Sequence, residues 1–110
     1  MLMGDKREAV RVPVRFRARC RCSGIEIDGL VEDVSRSGLF LRAPKWVSAG
    51  SEAKIDLDLP GEETLVLEVR VVRVEHSTKR AGMGLRFVDR PAVSRALANF
   101  IMKRHAEHSS

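Results

Sequence analysis

The sequence predicts a mainly β fold, a six-stranded antiparallel β-barrel with a C-terminal α-helix. Three observations carry that reading. Apolar and polar residues alternate with period two through most segments from Val14 to Val88. Gly, Pro, Ser and Asp gather at the joints between those segments. After Pro91 the apolar spacing becomes helical. The chain has 110 residues, 44% hydrophobic and 32% charged, which suits one globular domain with a single core.

Val14, Phe16, Ala18, Cys20 and Cys22 alternate with Arg15, Arg17, Arg19 and Arg21, the pattern of a half-buried strand. Ser23-Gly24 reads as a turn, and Ile25 to Val34 as a second strand with a bulge expected at Gly29. Ser35-Arg36-Ser37-Gly38 interrupts the pattern before a third strand opens at Leu39-Phe40-Leu41. Ala43 to Gly50 is a connection, and its Trp46 is expected to contact the core. Ala53, Ile55, Leu57 and Leu59 give a fourth strand, closed by Pro60-Gly61, the middle residues of a type II turn.

Thr64 to Glu75 is the longest strand. Its apolar phase runs Leu65, Leu67, Val69, Val71 and then shifts to Val72 and Val74, which predicts a bulge near Val71-Val72. Arg80 to Val88 is the sixth strand. Pro91 suits a first helical turn with Asp89 as its cap, and Val93, Leu97, Phe100 and Ile101 form one stripe. That helix is expected to cover a barrel mouth or an open edge and to fray by His105. The resulting division is a flexible basic arm over 1–12, the barrel and helix over 13–105, and a disordered tail over 106–110.

Charge is unevenly spread. Lys6, Arg7, Arg11, Arg15, Arg17, Arg19 and Arg21 face only Asp5 and Glu8, so the first 22 residues hold the whole net excess of +5. Such an asymmetry points to an anionic partner near the N-terminus. The start of the chain lacks the apolar stretch of a signal peptide, and no apolar run approaches the roughly 18 residues of a membrane span. A cytoplasmic location without membrane insertion is the expectation. Cys20 and Cys22 would sit near the far limit for a disulfide, at about 6.5–7 Å between Cα atoms on a strand. No His or further Cys completes a metal set, so they read as thiols packed as small hydrophobes.

Two clusters could carry chemistry. Arg7 and Arg11 stand four apart with Lys6 before them. Pro13 biases Val12 away from helix, which places these arginines on an irregular arm. They form either a solvated tail or an anion grip, since a guanidinium fits phosphate oxygens and the O6/N7 edge of guanine. The second cluster is the turn Asp33-Val34-Ser35-Arg36-Ser37-Gly38. Asp33 suits the N1–H and N2–H₂ donors of guanine, Ser35 can donate and accept, and Gly38 permits positive φ and close approach of a ligand. Asp, Ser and Gly are equally the residues of a plain turn.

Together these clusters resemble the PilZ domain, the bacterial receptor module for cyclic di-GMP. Its signature is R-x-x-x-R on an N-terminal arm, then [D/N]-x-S-x-x-G some 20–30 residues later. Arg7 and Arg11 match the first motif, and Asp33, Ser35 and Gly38 the second. Gly82-Met83-Gly84-Leu85-Arg86-Phe87 looks like the family's late barrel strand, and the likeness spans about residues 6 to 105. The resemblance implies a PilZ-type barrel with cyclic di-GMP wrapped by the arm against its outer surface. Arg7 and Arg11 would grip phosphates and guanines, Asp33 and Ser35 would read a guanine edge, and Gly38 would shape the turn. Lys6 stands where many members carry Arg; a basic residue there leans towards a bound pair of ligands.

The implied function is that of a cyclic di-GMP receptor and adaptor, without a cofactor, coupling the messenger to a downstream effector protein as a monomer or weak dimer. Motility and biofilm formation are the processes such signalling serves. The rivals are an adaptor of the same fold that binds no nucleotide, and a nucleic-acid binder using Arg15, Arg17, Arg19 and Arg21. That stripe reads better as a solvated outer face paired with Glu26, Asp28 and Glu32, and no aromatic shares the phase of these arginines for base stacking. Catalysis is not expected. His76, His105 and His108 fall at a strand end and in the tail, leaving Ser35 and Asp33 without an evident histidine base. The Gly-x-Gly at 82–84 is no dinucleotide fingerprint, because no strand–turn–helix follows.

Overall fold

The computed structural model describes residues 11–61, 63–88 and 95–109. Its strands are β1 (Val12–Cys22), β2 (Ile25–Val34), β3 (Gly38–Arg42), β4 (Glu52–Leu57), β5 (Leu65–His76) and β6 (Ala81–Phe87), followed by the helix α1 (Arg95–Ser109). They close into a barrel in the order β1-β2-β3-β6-β5-β4, with every neighbouring pair antiparallel. Closure gives each strand a neighbour on both sides, although β1 pairs with β4 only over Ala18–Arg21. The helix lies against the stretch of β1 beyond this pairing. It packs beside β1, where Leu97 and Ile101 join the barrel core and Phe100 meets Phe16 edge-on, centroids 5.5 Å apart.

The period-two pattern becomes the barrel wall. Phe16, Ala18 and Cys20 point inward from β1 while Arg15, Arg17 and Arg19 are exposed. Val31, Leu41, Ile55, Leu57, Val69, Val71 and Met83 complete a core with no solvent exposure. Ser23 and Gly24, at φ 49° and 83°, form the two-residue turn of positive φ that matches strand twist, with Cys22 paired to Ile25 across it. Gly61 has φ 78°, as the third residue of a type II turn requires.

Several expectations change. β1 begins at Val12, two residues early; Pro13 pairs with Asp33 beside an irregularity in the ladder, where a missing N–H is tolerated. Gly29 lies in regular pairing with Ala18, and the bulge of β2 falls at Glu32 instead. A Cβ on Gly29 would stand 2.3 Å from the Arg42 carbonyl oxygen, so close passage of β3 explains that glycine. The β5 bulge is where the phase shift placed it: Val71 pairs with Leu85 and Arg73 with Gly84. Val72 is the extra residue and turns outward, 48% exposed, so it does not resume the inward phase. Trp46 stays outside the core, stacked on His76 with ring centroids 5.3 Å apart. The helix continues to Ser109, past the expected fraying at His105 and through most of the segment from 106 read as a tail. Asp89, Pro91 and Val93 lie outside the described residues.

The cysteines are free thiols, Cys20 buried and Cys22 half-buried. Burial, with Cys22 and Asp56 nearby, pushes the Cys20 thiol up to about 11. The Cys22 Sγ donates to the Glu52 carbonyl oxygen at 3.4 Å. Among the described residues no helix is long and apolar enough to cross a membrane.

Candidate functional site

The β2 bulge builds the site. Val31 pairs with Leu41 and Asp33 with Phe40, leaving Glu32 as the extra residue. An extra residue breaks the alternation of faces, and both Glu32 and Asp33 send their carboxylates to the same arginine, Arg80. The second bulge, on β5, does the same service for Arg73. One row of paired residues then crosses the outer wall: Asp33 on β2, Phe40 on β3, Gly84 on β6 and Arg73 on β5.

Phe40 is buried but stands apart from the barrel core. Its cover is the Arg80 guanidinium, whose Cζ lies 3.6 Å from the ring centroid, with Arg73 at 6.0 Å. Gly84 makes the space, since a Cβ there would meet the Arg73 side chain at 3.1 Å. Arg80 approaches three carboxylates, through Nε to Glu32 at 3.2 Å, Nη2 to Asp33 at 3.6 Å and Nη1 to Glu75 at 3.8 Å. Arg42 also binds Glu32 at 2.7 Å, and Arg73 binds Glu75 at 3.2 Å.

Arg11 reaches this network from the other side. Its Nη1 donates to Asp33 Oδ1 at 2.5 Å, across 22 residues of sequence. Two of the sequence-selected residues are thus in direct contact on the outer wall. Lys6 and Arg7 lie outside the described residues.

The turn after β2 is held by its own serine. Ser35 is fully buried. Its Oγ accepts from the Ser37 and Gly38 N–H groups at 3.1 and 3.3 Å and lies 3.0 Å from the Ser37 hydroxyl. The Ser35 N–H donates to the Gly38 carbonyl at 2.8 Å, and Phe87 N–H to the Ser37 carbonyl at 2.9 Å, which ties the turn to β6. Ser35 therefore sets the shape of the loop beside Asp33. Gly38 does not adopt positive φ. It is small for another reason: a Cβ would sit 2.1 Å from the Leu85 carbonyl oxygen. The close approach is by the backbone of β6.

The arginine stripe divides. Arg19 binds Asp28 at 2.7 Å and Glu26 at 3.5 Å, and Arg21 binds both Asp56 oxygens, at 3.1 and 2.8 Å. The Arg19 hydrogen bond holds the Asp28 carboxyl below its ordinary range. Glu32 serves Arg42 and Arg80 instead of the stripe. Among the described residues, no hydrogen bond links His76 to Ser35 or Asp33. Nor do any three His, Cys, Asp or Glu side chains form a group that could hold a metal ion.

Sequence reasoning missed Phe40, Arg73 and Arg80. Leu39-Phe40-Leu41 reads as one buried run, which hides the outward face of its middle residue. The phase shift at Val71-Val72 was the available signal for Arg73; nothing local marks Arg80.

Comparison with known proteins bears on this wall. The PilZ domain of CeSA from a cellulose-synthesizing bacterium superposes with TM-score 0.64 at 21% identity, covering 86% of this chain and 97% of that one. The Bacillus subtilis inhibitor of motility (MotI/DgrA) gives TM-score 0.74 at 20% identity, covering 93% of this chain and 52% of that one. The PilZ domain of YcgR from Escherichia coli, determined with c-di-GMP, gives TM-score 0.76 at 15% identity and covers 94% of each chain. These likenesses establish the barrel. Among curated proteins, none matches the chain. The family model for the PilZ domain matches residues 5–103, a span that takes in both sequence motifs and every strand, and the chain belongs to the PilZ domain family.

Proposed function

We propose that this protein is a receptor for cyclic di-GMP that passes the signal to a partner protein. PilZ domains are generally receptors for this messenger, and the YcgR domain of the same fold was determined with it. One observation of this chain carries the reading: Arg11 of the first motif is hydrogen-bonded to Asp33 of the second. A cyclic dinucleotide presents two phosphates and two guanines. The guanine N1–H and N2–H₂ suit the Asp33 carboxylate, and an arginine released from that carboxylate suits a phosphate or the O6/N7 edge. Binding then exchanges one charge-assisted pair for several. A few such bonds at roughly 1.5–3 kcal/mol each, less the ordering cost, reach the about −8 kcal/mol of micromolar affinity.

Lys6 and Arg7 add charge from the arm in this scheme, while Ser35 and Gly38 hold the turn. The ion-paired state of Arg19 and Arg21 argues against a nucleic-acid surface on the stripe. The test is calorimetric titration with cyclic di-GMP, with GTP and a short oligonucleotide as controls. Arg7→Ala and Arg11→Ala should each weaken binding at least about tenfold, or roughly 1.4 kcal/mol. Unchanged binding in both removes the mechanism. A fold-intact protein that ignores the nucleotide is a constitutive adaptor.

A further inference from the structure

We propose that Arg80, a residue in neither motif, is the positioning residue that makes Asp33 a guanine reader. The inference rests on the cyclic di-GMP reading and deepens it. Three features of the wall support it.

The first is the anchoring of the guanidinium. Its plane lies against Phe40, with Cζ 3.6 Å from the ring centroid. The ring has no freedom to move, being buried between strands that pair on both sides. Stacking fixes the plane of an arginine and so the directions of its N–H groups. A lysine in the same place would keep the charge and lose that orientation.

The second is the division of Asp33. Oδ2 faces Arg80 Nη2 at 3.6 Å, and Oδ1 accepts from Arg11 at 2.5 Å. Arg11 stands just before β1 at the start of the described residues, whereas Arg80 precedes β6 at the close of a short turn in which its carbonyl accepts from Ser77. Arg11 is the partner that can leave; Arg80 is the one built into the barrel. When Arg11 is exchanged for a guanine edge, Arg80 keeps the carboxylate aimed and compensates its charge.

The third is an incompletely satisfied donor. The Arg80 Nε is buried without a directed hydrogen bond, although Glu32 Oε1 lies 3.2 Å away. A buried N–H off its acceptor's line is costly. Here the mismatch follows from stretching one guanidinium over Glu32, Asp33 and Glu75 at once. Glu32 and Glu75 have other arginines, Arg42 and Arg73, so neither depends on Arg80 for its partner.

The experiment compares cyclic di-GMP with cyclic di-AMP on the full chain by calorimetry. Adenine lacks the N1–H that a carboxylate accepts, so the affinity ratio reports the guanine reader. The wild type should favour cyclic di-GMP. Arg80→Lys should lose at least about tenfold in cyclic di-GMP affinity and shrink the ratio, with its melting temperature near wild type. An unchanged affinity and ratio overturn the inference, and so does an equal weakening of both nucleotides, which marks a general structural or phosphate-binding role. If Arg80→Lys does not fold, Phe40→Leu, which removes the stacking platform but leaves Arg80, is read the same way. A wild-type chain that binds neither nucleotide overturns the proposed function together with this inference. Wild-type binding with an insensitive Arg80 overturns the inference alone.

Discussion

Gly38 sits where β3 passes β6 so closely that a methyl group would stand 2.1 Å from a backbone oxygen. Backbone cannot rotate out of the way, so Gly38→Ala should cost about 1–3 kcal/mol through overpacking, measured as a lower urea midpoint. Ser35→Ala removes the acceptor of two N–H groups in a buried turn and should cost a similar 1–3 kcal/mol or so. Because that turn flanks Asp33, cyclic di-GMP affinity should fall with it. Unchanged stability in Ser35→Ala would refute the buried network. Cys20 offers a pH test. Its folded-state pKa of about 11 lies above the ordinary 9.0, so the protein keeps this group's full contribution below pH 9. Stability is lost as pH rises from 9 through 11. In melting curves over that window, Cys20→Ala should show a shallower decline than wild type; parallel curves would contradict the burial of the thiol.

The bulges on β2 and β5 are the elements that gather the residues of the candidate site on the barrel wall. On β2 the extra residue Glu32 brings a second carboxylate beside Asp33; on β5 the extra residue Val72 lets Arg73 face Gly84. Register around Val72 is testable one residue at a time. Val71 is fully buried and Val72 is 48% exposed. Val72→Lys should change stability by less than about 0.5 kcal/mol, whereas Val71→Lys buries an unpaired charge and should prevent folding. Equal tolerance in a denaturant titration would mean the bulge is placed wrongly. The helix is a second case of packing overriding local signals. Leu97 and Ile101 extend the barrel core, so Leu97→Ala should cost about 2–5 kcal/mol as a cavity mutation.

As a whole, the described strands form a closed ring whose candidate site is on the outside. Among the described residues, buried hydrophobic side chains fill the interior, and the charged side chains of the candidate site, Arg11, Asp33, Arg73 and Arg80, are partly exposed. Binding therefore need not open the barrel, and ligand and fold should couple by mass action. At a free concentration of a hundred times Kd, cyclic di-GMP should stabilise the chain by about 2.7 kcal/mol. For a chain of this length that is a rise in Tm of roughly 10 °C. Arg11→Ala, at least about tenfold weaker, should lose about half of the shift or more at the same concentration while keeping its ligand-free Tm within a few degrees, since an exposed ion pair adds about 1 kcal/mol or less. A partner that prefers the liganded surface should tighten nucleotide binding by the same factor that the nucleotide tightens partner binding.

What could be read from the chain was whatever repeats locally. Alternation of the β1 arginines with Phe16, Ala18 and Cys20, the turns at Ser23-Gly24 and Pro60-Gly61, and the slipped phase at Val71-Val72 each state a strand, its end or its defect. They do so because a side chain's face follows from its parity. Arg11, Asp33, Ser35 and Gly38 were also legible, as spaced motifs. Tertiary structure alone decided that the sheet closes, that Gly29 and Gly38 yield to passing backbone rather than to a bulge or positive φ, that Trp46 stays outside, and that Phe40 turns outward beneath Arg80. Those outcomes depend on which strands lie side by side. Residues 33, 40, 73, 80 and 84 become neighbours only through pairing across four strands, and no spacing along the sequence carries that information.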